Sequence, residues 1–206
     1  MKKVAVSIHA IDNFDPKIID HLKGLDFIHI DVADGKFTDV RYDNLEVFKI
    51  LTDYYDIPIL AHLMVMDPIS YVDKIIDYID TFTFHYEIEQ NRKQIMEKVK
   101  VKKKKVGIAL NPDTEISLIV PLLKDVDMIL IMSVYPGRSG QKFLDKSIGR
   151  VNLLNDYKTE ICNFLIEIDG GINLENAKKL NVDILSSTST ILNANDPNQI
   201  IKLLKK

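Results

Sequence analysis

The 206-residue sequence has a single cysteine, Cys162, so a disulfide within the chain is excluded. That residue lies in the apolar run ICNFLI and is expected to be a buried thiol. No stretch approaches the roughly 18 apolar residues of a membrane-spanning helix. The opening MKKVAVSIHA carries a basic pair, but its apolar part is shorter than the core of a secretion signal. An excess of positive charge is also lacking. A net charge of -3 argues against a nucleic-acid partner. The one concentrated basic run, KVKVKKKK at 98–105, reads as a solvated helix end and loop. With these classes set aside, the expected setting is the cytoplasm and the expected partner is a small molecule.

What is present is length and alternation. The chain is 46% hydrophobic and suits one globular domain over residues 1–206. Eight β-type runs recur: KVAVSI, FIHID, PILAHLM, TFTFH, KVGIAL, MILIMS, FLIEID and DILSS. Segments of helical pattern lie between them, among them 16–25, 44–55, 68–79 and the run TEISLIVPLL. The β-type runs are mostly continuous in apolar residues, as expected when both faces of a sheet are covered. Eight βα units of about 26 residues fill the chain without a linker, which predicts an α/β fold, a (β/α)8 TIM barrel. A doubly wound open sheet is the alternative.

Barrels of this type place their active sites at the C-terminal ends of the strands. Ser7, His29, Asp31, His62, His85, Met132 and Asp169 all fall at those ends. In HIDVADG, His29 and Asp31 are two apart and project from one face of a strand. With His62 and Asp169 from two further strands they form a set able to hold one divalent metal ion. Two carboxylates on opposite sides of a barrel mouth could also remove a proton from one face of a flat intermediate and return it to the other. That is what an epimerase needs. DGGI at 169–172 opens into a helix near Asn173 and suits an anion. YPGRSGQKF at 135–143 reads as a lid loop.

Taken together, VSIHAID, HIDVADG, AHLMV, FTFHYE, GIALNP, MSVYPGRSGQKF and EIDGGI resemble the successive strand-end motifs of the ribulose-phosphate 3-epimerase family. The resemblance runs from Val6 to about Asp196. It implies a ribulose-phosphate-binding barrel that interconverts D-ribulose 5-phosphate and D-xylulose 5-phosphate with one divalent metal ion, Zn, Fe, Mn or Co. His29, Asp31, His62 and Asp169 would be the metal ligands, and Asp31 and Asp169 the catalytic acid–base pair. Ser7 and His62 would face the substrate, and Met64 and Met132 would cover the enediolate. Gly137, Arg138, Ser139, Gly140, Gly170, Gly171, Thr188 and Ser189 would surround the phosphate.

Several positions depart from the family pattern. Ala33 stands where a methionine is usual, VRYDNL replaces a segment like NITFGP, and GRSG replaces GFGG. Thr188 replaces a glycine at the phosphate site, where Arg138 offers a guanidinium in compensation. These changes leave open a hexulose 6-phosphate, such as allulose 6-phosphate, as substrate. A non-catalytic metal- and sugar-phosphate-binding barrel is a further alternative. The sequence leaves the oligomeric state open, a homo-oligomer included.

Overall fold

The computed structural model describes residues 1–138, 140–159 and 162–206. Eight parallel strands close into a ring: β1 (Lys3–His9), β2 (Phe27–Asp34), β4 (Ile59–Met64), β5 (Thr81–His85), β6 (Lys105–Leu110), β7 (Met128–Met132), β8 (Leu165–Asp169) and β9 (Ile184–Ser187). β1 pairs with both β2 and β9, which leaves no free edge in the ring. The barrel expectation holds and the open sheet is overturned. A two-residue strand, β3 (Arg41–Tyr42), adds antiparallel to the end of β2, with Ala33 opposite Tyr42.

Helices cover the outside. The principal ones are α1 (Glu46–Tyr54), α2 (Ile69–Ile75), α3 (Arg92–Val101) and α4 (Lys146–Asp156). Two four-residue pieces, α5 (Leu174–Ala177) and α6 (Ser189–Leu192), and the eight-residue α7 (Pro197–Leu204) follow. Two expected helices take another form. Over 16–25 only Pro16–Ile19 coils, as a 3-10 turn. The Pro16 carbonyl accepts from the Tyr55 hydroxyl at 2.7 Å, and the Asp20 amide turns to Lys17 instead, so an α-helical bond between them does not form. Ile116–Asp125 is also 3-10, with Pro121 inside it removing one amide donor. Cys162 is half-buried rather than buried. The basic run is solvent-facing as expected, with Lys98 and Lys102 bridged to Asp73. No described helix is long and apolar enough to cross a membrane.

The barrel interior changes character along its axis. Near the N-terminal end, Ala5, Leu60, Met128 and Ile184 form a small apolar layer of their own. Side chains alternate along each strand, so the next inward positions are Ser7, His29, His62, Glu167 and Ser186, all buried. Above them, at the C-terminal mouth, stand His9, Asp31, Met64, His85, Met132 and Asp169. The strand register puts Ser7 beside His29, His9 and His62 beside Asp31, and Met132 beside Asp169.

The N-terminal ends follow a different plan, repeated four times. Asp26, Asp80, Asp127 and Asp183 each precede a strand. Each carboxylate accepts the amide of a residue on the neighbouring strand: Val4 at 2.8 Å, Ile59 at 3.0 Å, Val106 at 2.8 Å and Ile166 at 2.7 Å. Each aspartate's own amide donates to the carbonyl of that same residue. The pairs are therefore closed in both directions.

Candidate active site

The mouth of the barrel holds a buried chain of polar side chains. Asp31 lies at its centre. Its Oδ1 is 2.7 Å from His62 Nδ1 and 3.2 Å from His29 Nε2, and its Oδ2 accepts from the Ser7 hydroxyl at 3.1 Å. On the far side of His29, Nδ1 is 2.7 Å from Glu167 Oε1, which also accepts from Ser186 Oγ at 2.5 Å. On the far side of His62, Nε2 is 2.9 Å from His85 Nε2, and His85 Nδ1 is 3.1 Å from Glu87 Oε2.

This packing sets the charge on each group. Burial pulls His29 down, but Glu167 and Asp31 on either side outweigh it and hold the imidazole well above its usual range. Burial raises Asp31, yet His29 and His62 together hold it well below the ordinary carboxylate range. Asp169 is less compensated. Burial and the nearby Asp31 and Glu167 charges lift it to about 7, against a partial pull from His29. Burial drops His62 to about 4. Glu87 is raised by burial, but His85, Thr114 and the Asn111 amide outweigh that and bring it below its ordinary value. At neutral pH one central aspartate is thus a firm anion, and the other sits at the point of losing its proton.

One ligand atom from each of His29, Asp31, His62 and Asp169 lies within 4.8 Å of the others. Two imidazole nitrogens and two carboxylate oxygens at that spacing fit a divalent cation. The orientation of His29 fits too. With Nδ1–H given to Glu167, Nε2 is the nitrogen left for a cation.

A cleft above this cluster is lined by Ser7, Asp31, Met64, Met132, Gly137, Arg138, Gly140, Asp169, Gly170, Gly171, Thr188 and Ser189, which the sequence had singled out. His29 and His62 lie buried beneath it. Ser139 falls outside the described residues. The glycines of DGGI are required by the fold: Gly170 and Gly171 have φ of 113° and 62°. A Cβ on Gly171 would stand 2.7 Å from the Phe143 amide nitrogen and 2.8 Å from the Gln141 carbonyl oxygen. The turn thus seats the returning end of the 135–143 loop. The helix after it offers an anion less than expected, because Asn173 accepts the amides of Glu175 and Asn176 itself. Arg138 borders the cleft with its guanidinium 2.5 Å from Asp39 on the β2–β3 loop, where both side chains are exposed.

The structure adds residues that were not singled out. His9 lines the cleft, stacked on Tyr42 with centroids 4.1 Å apart. Glu167 and Ser186 support His29, Glu87 supports His85, and Ser187 lines the cleft beside Thr188. Glu167 was detectable, because it lies two residues before Asp169 on the same inward face, the spacing that drew attention to His29 and Asp31.

Comparisons with known proteins point to one family. The Ribulose-phosphate 3 epimerase family matches residues 3–192. The ribulose-phosphate 3-epimerase of Schizosaccharomyces pombe is 30% identical, covering 98% of this chain and 92% of its own. Those of Aquifex aeolicus (34%, 84% and 80%) and Methanocaldococcus jannaschii (32%, 89% and 80%) are similar. Among solved structures, 3-hexulose-6-phosphate synthase from Salmonella typhimurium superposes with a TM-score of 0.70 at 18% identity, covering 98% of this chain and 96% of its own. KGPDC from Streptococcus mutans superposes with a TM-score of 0.71 at 15% identity, covering 100% and 96%. These two share the fold. The family match and the relatives at 30% identity and above establish that the chain belongs to the ribulose-phosphate 3-epimerase family of isomerases.

Proposed function

We propose that the protein epimerises a ketose phosphate at C3, with D-ribulose 5-phosphate and D-xylulose 5-phosphate as the exchanging pair. Asp31 and Asp169 carry the proton. The observation that bears most weight is their opposition: two carboxylates from β2 and β8 meet at one cleft with opposite proton preferences. Asp31, held as an anion, takes the C3 proton from one face. Asp169, protonated up to about pH 7, delivers a proton to the other face. In the reverse direction the roles exchange. His29, Asp31, His62 and Asp169 are the residues that would hold a divalent cation. Such an ion, when bound, polarises the ketose carbonyl and stabilises the enediolate charge. Zn, Fe, Mn and Co all suit this donor set.

Ser7 orients Asp31 through the 3.1 Å hydrogen bond and faces the substrate from β1. Met64 and Met132 close the cleft with apolar sulfur and limit water at the flat intermediate. The phosphate rests against Gly170, Gly171, Thr188 and Ser189, with Arg138 at the rim. One relative, from Oryza sativa, is labelled the cytoplasmic isoform, in keeping with a cytoplasmic setting.

The test is exchange of the C3 hydrogen in heavy water. Ribulose 5-phosphate should gain one deuterium at C3 with the purified protein, lose that activity on treatment with chelator, and regain it on adding back a divalent ion. Allulose 6-phosphate run in parallel fixes the chain length. Turnover of neither sugar, in protein shown to carry metal, would refute the reading.

A further inference from the structure

His85 and Glu87 are buried or half-buried at the mouth, yet neither is among the four metal-type residues. We propose that Glu87 is a positioning residue for the metal site. Acting through His85, it fixes which nitrogen of His62 keeps a lone pair. The inference rests on the metal reading given above and assigns a role to residues outside that cluster.

The hydrogen-bond directions follow one from another. Glu87 Oε1 accepts from the Asn111 amide at 2.8 Å and from the Thr114 hydroxyl. Its Oε2 is 3.1 Å from His85 Nδ1. A carboxylate only accepts, so His85 carries its proton on Nδ1. A neutral imidazole has one N–H, so His85 Nε2 is an acceptor. His62 Nε2, 2.9 Å away, is then the donor. With a cation at the cluster, that leaves the lone pair of His62 on Nδ1, the nitrogen 2.7 Å from Asp31 and on the side of the cluster. Without an ion the Asp31 carboxylate, also an acceptor, competes to keep a proton on that nitrogen, and the relay from Glu87 opposes it. On the other flank Glu167 does the same for His29 in one step. The relay is held in place from outside. Phe37 packs on His85 with centroids 4.5 Å apart. Arg150 donates to the carbonyls of Asn111 and Thr114 at 2.9 and 2.8 Å, which fixes the loop that grips Glu87.

Glu87→Gln keeps the shape and reverses the relay. The two donors at Asn111 and Thr114 would claim the amide oxygen, and the NH2 group would turn to His85. His85 would then accept at Nδ1 and donate from Nε2, and His62 would be left with its proton on Nδ1, against the metal. A packing role would not register an isosteric change of this kind.

The experiment measures zinc affinity by competition with a chromophoric chelator in metal-stripped protein, for wild type, Glu87→Gln and His62→Ala. Glu87→Gln should bind Zn2+ about 10–100-fold more weakly than wild type, with the melting temperature of the stripped protein unchanged. A Glu87→Gln affinity within twofold of wild type would overturn the proposal. Absence of zinc binding by wild type, equal to His62→Ala, would instead sink the metal reading beneath it. A second measurement needs no variant. In zinc-loaded wild type, nitrogen-15 spectra should show His85 protonated at Nδ1 and His62 at Nε2. His85 protonated at Nε2 would refute the relay even if Glu87→Gln failed to fold.

Discussion

The two ends of the barrel use the same residue, aspartate, for opposite purposes. At the N-terminal end Asp26, Asp80, Asp127 and Asp183 each close a two-way pair with the backbone of the next strand. Their oxygens have found partners within the fold. At the C-terminal end Asp31 and Asp169 are aimed into a cleft among imidazoles, in a geometry that a cation or substrate would complete. Environment decides the difference. The lower aspartates are half-buried or exposed at strand starts, where the orphan donor is a backbone amide. The upper ones sit among buried titratable groups that push their proton affinities apart, one down and one up to about 7. Stability and chemistry are thus assigned to opposite ends of one cylinder.

This contrast predicts effects on turnover that fall from one end of the molecule to the other. Asp31→Asn and Asp169→Asn should each lower kcat by about 10²-fold or more, with circular dichroism and melting showing a folded protein. A similar loss of turnover from Asp80→Ala would break the comparison. Metal loading should be strongly pH-dependent. His29 holds a proton well above its usual range, and that proton must leave Nε2 for an ion to bind, whereas Asp169 can meet an ion through one carboxyl oxygen and keep the proton that it delivers on the other. Affinity should therefore fall as pH drops through the raised range of His29. His62, neutral down to about 4, contributes nothing in that window. Calorimetry in buffers of different ionisation enthalpy at pH 6 should find about one proton released per ion, from His29. No release would mean that His29 is not a ligand.

The rim should show intermediate effects. If Arg138 leaves Asp39 to meet the phosphate, Arg138→Ala raises KM about tenfold, for a charge-assisted bond of about 1.5 kcal/mol. Asp39→Ala would then leave KM equal or lower. Steady-state kinetics with both variants settle it, and equal KM values across all three proteins would place Arg138 outside binding. The smallest effect on turnover belongs to the lower aspartates. Asp80→Ala and Asp127→Ala should each cost about 0.5–1.5 kcal/mol of stability and lower Tm by a few degrees. Per folded molecule, kcat should be unchanged.

Much of this was legible in the sequence because strand burial and strand-end chemistry both leave short-range marks. The eight β-type runs stand as eight barrel strands, and His29, Asp31, His62 and Asp169 come together. What was missed depends on distant partners. The 16–25 segment has a helical stripe, but its geometry is decided by Tyr55, far along the chain. Pro121 inside an apolar run was a local sign of the 3-10 form that the stripe outweighed. β3 has only two residues and pairs with Ala33 and Asp34, where β2 runs past the last residue that it pairs with on β1. His9 and Glu87 acquire meaning only from Tyr42, His85 and Thr114. The fourfold aspartate before a strand was visible as LDF, IDT, VDM and VDI, yet its bonding partner lies about 20 residues earlier in each case.

Those four clasps also divide the cylinder into quarters. Asp26 joins β2 to β1, Asp80 joins β5 to β4, Asp127 joins β7 to β6, and Asp183 joins β9 to β8. Each quarter is a two-strand module fastened at its base. The cluster at the mouth, by contrast, draws on β2, β4 and β8 and so belongs to three different modules. A circular permutant opened at the lysine turn between α3 and β6 would cut between neighbouring modules and leave every clasp whole. Such a chain could be built and rearranged by quarters, while its chemistry exists only once the quarters have met.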